Sequence, residues 1–181
     1  MPTKHDHSVA AIVTGGRTVN SLGVIRGLGR HGIPVIYLDS KPSSFVRYSR
    51  YIKQHLKCQS TKQSEAKLIE ALLDYGKRMN NKMVIIPTSD RDVLALSKHK
   101  QELDQFYRLP VPNFDIVQNL VNKRRLYTLL AEMQVPHPRT YFPESLSEIP
   151  LMSRQISRNY IIKPVYTAPF QAEFGQKGEE L

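Results

Sequence analysis

The sequence predicts an α/β protein: a doubly wound parallel sheet followed by the start of a smaller α+β lobe. Two observations carry this. Short apolar runs that end in turn residues alternate with amphipathic segments at helical spacing up to about residue 112. Beyond that the texture changes, and Pro136, Pro138, Pro143 and Pro150 punctuate a less regular stretch.

The elements follow in order. Val9 to Val13 reads as a buried strand closed by Thr14-Gly15-Gly16, a turn that needs a permissive backbone. Asn20 or Ser21 is placed to cap a helix whose apolar side is Leu22, Val24, Ile25 and Leu28 and which stops at His31-Gly32. Ile33 to Leu38 is a second buried strand ending at Asp39, which completes a β-α-β unit. A polar loop leads to an amphipathic helix over Ser64 to Met79. Met83 to Ile86 is a third strand ending in Pro87-Thr88-Ser89-Asp90, and Val93 to Leu103 is helical. Arg108 to Val111 is a short strand held between Pro110 and Pro112. Asn113 to Met133 forms two helical pieces, with Asn122 capping the second. Arg139 to Phe142 and Tyr160 to Ile162 read as strands, and Leu146 to Ile156 as a short helix. This gives a mobile leader over 1–8, a sheet domain over 9–112 and a second lobe over 113–181. Strands without partners and a polar tail from Thr167 to Leu181 suggest an interrupted lobe.

Composition narrows the function. Hydrophobic residues at 40% and charged residues at 23% exclude a wholly disordered chain. No run approaches the ~18 apolar residues of a membrane span, and the leader has no apolar signal core, so a soluble cytoplasmic protein is expected. Cys58 is the only cysteine, which rules out an internal disulfide or a thiolate metal cage. The net charge of +10 invites a nucleic-acid partner. Neither basic run, Lys41 to Lys57 or Lys123 to Arg125, has the aromatic spacing of an RNA-binding sheet, so no nucleic acid is expected.

Chemistry in an open parallel sheet sits outside the carboxyl ends of its strands. Gly15 and Gly16, Asp39, and Thr88, Ser89 and Asp90 occupy three such turns. Gly15, Gly16 and Gly23 do not make a G-x-G-x-x-G fingerprint, although Asp39 lies near the ribose-binding distance from them. Thr88, Ser89 and Asp90 offer hydroxyls, a carboxylate and helix-start N–H groups to a small polar substrate, and equally serve as a helix cap alone. Lys163 follows an apolar strand and precedes Pro164. Its ammonium either meets a phosphate or snorkels from the strand end. His5 and His7 lie in the leader, and the remaining histidines lack metal-ligand spacing. No Walker A, G-x-S-x-G or H-E-x-x-H sequence occurs.

Taken in order, "AIVTGG", "SLGVIRGLGRHGIPVIYLD", "SRYIK", "VIIPTSDRDVLAL", "LPVP", "NKRRLYTLLAEMQVPHPRTYFP" and "YIIKPVY" resemble the ATP-grasp superfamily, and within it the D-aspartate ligase-like carboxylate–amine ligases. The resemblance implies a Rossmann-like pre-ATP-grasp domain followed by the start of the ATP-grasp small lobe. It implies that Lys123 and Lys163 are ATP-binding, with Lys177 a further phosphate contact, and that Gly15, Gly16, Asp39, Thr88, Ser89 and Asp90 border the substrate site. It also implies ATP and Mg2+, with the magnesium ligands beyond residue 181, and small-molecule carboxylate and amine substrates; a homodimer is compatible with it, and the lack of an apolar run leaves no membrane partner expected. The stretch after Lys163 has fewer glycines than many members carry there. The alternative is a non-catalytic Rossmann-like module that binds a small ligand or a partner.

Overall fold

The computed structural model describes residues 9–16, 18–39, 44–154, 161–166, 170 and 179–180. The chain divides into two compact units, Met1–Val117 and Gln118–Leu181.

The first unit is built on a five-stranded parallel sheet of β1 (Ala11–Val13), β2 (Val35–Asp39), β3 (Ile52–Lys57), β4 (Met83–Ile86) and β5 (Tyr107–Arg108). The strand order is β3-β2-β1-β4-β5, the order of the first five strands of a doubly wound sheet. β1 is central, with Ile12 opposite Ile36 on one side and Ile85 on the other. All three β1 residues are buried. Helices cover both faces, so this strand is a continuous apolar run and not an alternating one.

On one face α1 (Val19–Arg30) packs Ile25 against Val13, Val35, Tyr37 and Val46. On the other, α2 (Glu65–Lys77), α3 (Asp90–Lys98) and α4 (Lys100–Leu103) bring Leu68, Leu72, Leu96 and Leu103 onto Ile12, Ile36, Met83 and Ile85. Each main helix starts where a hydroxyl satisfies an otherwise unpaired N–H: Thr18 for Ser21, Ser64 for Lys67 and Ser89 for Asp92. The α1 cap is thus Thr18, two residues before the expected Asn20. Of the three glycines in α1, Gly23 and Gly27 face open space and Gly29 is closely approached by Tyr51.

One strand departs from expectation. Ile52–Lys57 was expected within a polar loop and forms β3. Among the described residues it is an edge strand paired with β2 alone, and its residues are mostly exposed, so no buried run announces it. Charged side chains on such an edge discourage pairing with other chains. The expected strand at Arg108 to Val111 shortens to β5, since Pro110 has no N–H for the ladder.

α5 (Phe114–Val121) runs across the division between the units, and α6 (Lys123–Glu132) follows it in the second, where the Asn122 side chain accepts from the Arg125 N–H at 3.0 Å, as expected of a cap. Arg139 to Phe142 forms no strand; Phe142 instead packs beside Tyr127 and under the Arg124 guanidinium. A 3-10 turn at Leu146–Glu148 leads into α7 (Ile149–Ser153). β6 (Ile161–Ile162) pairs antiparallel with β7 (Glu179–Glu180). Ile161 and Ile162 are 55% and 54% exposed, and Tyr160 of the expected strand lies outside the described residues. The leader 1–8 lies outside the described residues.

Tyr107 ties β5 to α2 through a 2.5 Å hydrogen bond from its buried hydroxyl to the Leu72 carbonyl, and burial raises its pKa. Tyr107→Phe removes that bond while the Leu72 carbonyl keeps its helical partner, the Gly76 N–H, and is expected to cost about 1 kcal/mol in urea unfolding without a change in m-value.

Candidate functional site

The strand order reverses between β1 and β4, and the turns after these two strands meet there. They are locked to each other. Thr14 continues the ladder one residue past β1, its N–H donating to Ile86 O at 3.1 Å. Thr88 Oγ1 donates to Thr14 O at 2.6 Å. With its one proton spent, Thr88 Oγ1 accepts from Ser21 Oγ at 2.7 Å, and Ser21 Oγ accepts in turn from Thr18 Oγ1 at 2.9 Å. Three hydroxyls thus form a directed chain from the α1 cap to the Thr14 carbonyl at the end of β1.

This closeness fixes Gly15. Its φ is +112°, and a Cβ there would sit 2.0 Å from Thr88 Oγ1. Gly16, at φ +72°, has open space in front of it.

Next to this lock lies a cleft of about 180 Å3 at the carboxyl ends of the strands. Gly15 and Gly16 line it from β1, Leu38 from β2, and Ser60, Thr61 and Lys62 from the turn after β3. Leu68 contributes from α2, and Ser89, Arg91 and Asp92 from the start of α3. Asp92 is 4% exposed, and its carboxylate accepts one hydrogen bond, from Thr61 Oγ1 at 2.6 Å. Among the described residues it forms no ion pair. Thr14 Oγ1 is buried and has no hydrogen-bond partner among the described residues. Alternation puts the Thr14 side chain on the face of Ile12 and Leu38, the face that holds the cleft.

The expected site residues therefore separate. Gly15, Gly16 and Ser89 border the cleft. Thr88 holds the two turns together instead of lining it. Asp90 is exposed at the start of α3. Asp39 ends β2, and nothing is described of its side chain. Thr61 and Asp92 were not singled out from the sequence. Asp92 had a usable signal, since S-x-x-D at a helix start places the acid one turn along, over the core side.

In the second unit, the Lys123 N–H at the start of α6 donates to the Val165 carbonyl at 3.1 Å. This bond draws the turn that follows Lys163 onto the helix start carrying Lys123, while Lys163 itself is exposed. Lys177 lies outside the described residues. Among the described residues no group of three or more His, Cys, Asp or Glu could hold a metal ion. No helix among them is long and apolar enough to cross a membrane.

Beside the cleft, Cys58 donates to Gln59 O at 3.1 Å, and burial, followed by the charge of Asp92, raises its thiol pKa to about 11. The thiol is neutral below that value. Its alkylation by iodoacetamide should therefore rise roughly tenfold per pH unit between pH 8 and 10, with no plateau near 9. Gly15→Ala should cost about 3 kcal/mol in chemical unfolding, from overlap with Thr88 and backbone strain together. Gly16→Ala should cost only about 1 kcal/mol, from its backbone conformation alone.

No family model matches the chain. Over 76 residues, 40% of this chain and 18% of the relative, it is 29% identical to the D-aspartate ligase of Enterococcus faecium (strain Aus0004). Its fold is similar to the L-amino acid ligase from Bacillus licheniformis, with a TM-score of 0.61, 14% identity, and coverage of 86% of this chain and 36% of that one. It is also similar to the N5-carboxyaminoimidazole synthetase from Staphylococcus aureus complexed with ADP, with a TM-score of 0.58 and 16% identity, covering 87% of this chain and 38% of that one. The chain thus spans well under half the length of these proteins. Over part of its length it is similar to D-aspartate ligase, and its mixed α/β fold is that of the amino-terminal part of ATP-grasp carboxylate–amine ligases.

Proposed function

We propose that this chain is the amino-terminal portion of an ATP-dependent ligase that activates a carboxylate as an acyl phosphate for attack by an amine. In this reaction a carboxylate oxygen attacks the γ-phosphorus of ATP and ADP leaves. The amine nitrogen then attacks the acyl carbon, phosphate departs with the electrons of the broken C–O bond, and the nitrogen loses a proton. The observation that carries the reading is the cleft at the strand-order reversal, where open parallel sheets bind small molecules. The likeness to D-aspartate ligase and to an ADP-bound synthetase supports the same kind of chemistry.

Within this reading, Lys123 and Lys163 offset charge on the nucleotide phosphates as it shifts towards the leaving group. The bond from the Lys123 N–H to Val165 O supports their working as a pair, because it links the helix start to the turn two residues past Lys163. Gly15, Gly16 and Ser89 border the substrate side.

The test uses the full-length protein that carries this chain. ADP release should require a carboxylate and an amine together, and Lys163→Ala should lower kcat/KM about 100-fold. Turnover unaffected by that substitution, or independent of the amine, would overturn the assignment.

A further inference from the structure

Two acceptors in the cleft region have spare capacity. The Asp92 carboxylate is almost fully buried yet receives one hydrogen bond, from Thr61, and no cation among the described residues. An ionised carboxylate has room for about four donors, and burying one without a counter-charge is costly. Thr14 Oγ1, on the same face of the sheet, is buried with no partner among the described residues. The cleft also has Lys62 and Arg91 in its lining, so it holds both signs of charge.

Size limits the ligand. A cleft of about 180 Å3 is below the ~300 Å3 at which drug-sized pockets begin, and it suits a molecule the size of a free amino acid better than a nucleotide. A group that satisfies a buried carboxylate must donate several hydrogen bonds and carry positive charge. A primary ammonium does both.

From this we infer that the cleft is an ammonium-reading subsite, in which Asp92, braced by Thr61, selects a small zwitterionic amine over the same acid without its amino group. Lys62 and Arg91 meet the carboxylate end of that ligand. The inference rests on the ligase reading for the ligand's later fate, and it deepens that reading by naming the group that is recognised and the residue that recognises it.

Thr61 is a positioning residue here. Its hydroxyl occupies one Asp92 oxygen and leaves the rest of the carboxylate for the ligand. The Ser60–Gln63 turn that carries Thr61 is itself stapled, with Gln63 Oε1 accepting from the Ser60 N–H at 3.1 Å and from Ser60 Oγ at 3.2 Å.

The test is a titration of the 181-residue chain by isothermal calorimetry and by 15N-resolved NMR, with two matched pairs of probes: D-aspartate against succinate, and L-alanine against propionate. At least one amine is expected to bind ten times or more tighter than its deaminated partner and to shift the Gly15, Gly16 and Thr61 amides. Asp92→Asn, which has the same shape and can still accept from Thr61, should reduce that preference to within about twofold. Thr61→Val should weaken the amine several-fold while keeping a preference for it. Equal binding within both pairs, no binding of any probe, or a preference that survives Asp92→Asn would each overturn the inference. The two readings fail separately. Amine-dependent ADP release by the full-length protein with no preference at the cleft keeps the ligase and discards the subsite. A preference abolished by Asp92→Asn in a protein that never releases ADP does the reverse.

Discussion

The contact between the turn after β1 and the turn after β4 is the constraint on which the site depends. A Cβ at position 15 would overlap Thr88 Oγ1, so only glycine lets the two turns meet. Once they meet, Thr88 reaches the Thr14 carbonyl and the hydroxyl chain through Ser21 to Thr18 closes. That chain sets the start of α1 relative to the central strand, and it keeps polar groups paired where the sheet would otherwise bury them unpaired.

The lock leaves the cleft displaced to one side. α1 fills its face of the sheet up to the Thr18 cap, whereas α2 and α3 stand over the other face and leave space between them at the strand ends. The start of α2 and the end of α3 are joined by Glu65 and Lys98, 3.0 Å apart, and this hydrogen bond is the main cause of the lowered pKa of Glu65. The pair is exposed, so it orients the helices more than it stabilises them. Below it, Thr61 and Asp92 join the turn after β3 to α3, so an otherwise polar loop becomes one wall of the cleft.

The second unit shows how much a short strand depends on its neighbours. β6 is two isoleucines long, pairs with β7, and leaves more than half of each isoleucine exposed. α6 is better anchored. Asn122 caps it, Arg124 is 3.2 Å from Glu144 and stacks on Phe142, and its first N–H holds the Val165 carbonyl. These contacts gather the helix start and the Lys163 turn in one place without a large apolar core.

The sequence by itself determined the elements whose information is local. β1, β2 and β4 are apolar runs, α1, α2 and α3 have helical periodicity, and the caps at Ser89 and Asn122 follow from hydroxyl and amide chemistry at the first turn. The Gly15-Gly16 turn and its place at the end of a strand were legible for the same reason, because glycine marks backbone that other residues rarely adopt. Tertiary structure decided what depends on partners distant in the chain. β3 is a strand because β2 offers it hydrogen bonds, and Arg139 to Phe142 is none because no strand among the described residues pairs with it. Composition drew attention to Asp90, but the fold exposes Asp90 and buries Asp92 against Thr61, 31 positions away in the chain. Spacing along a helix says which residues share a side, and only packing says which side faces the cleft.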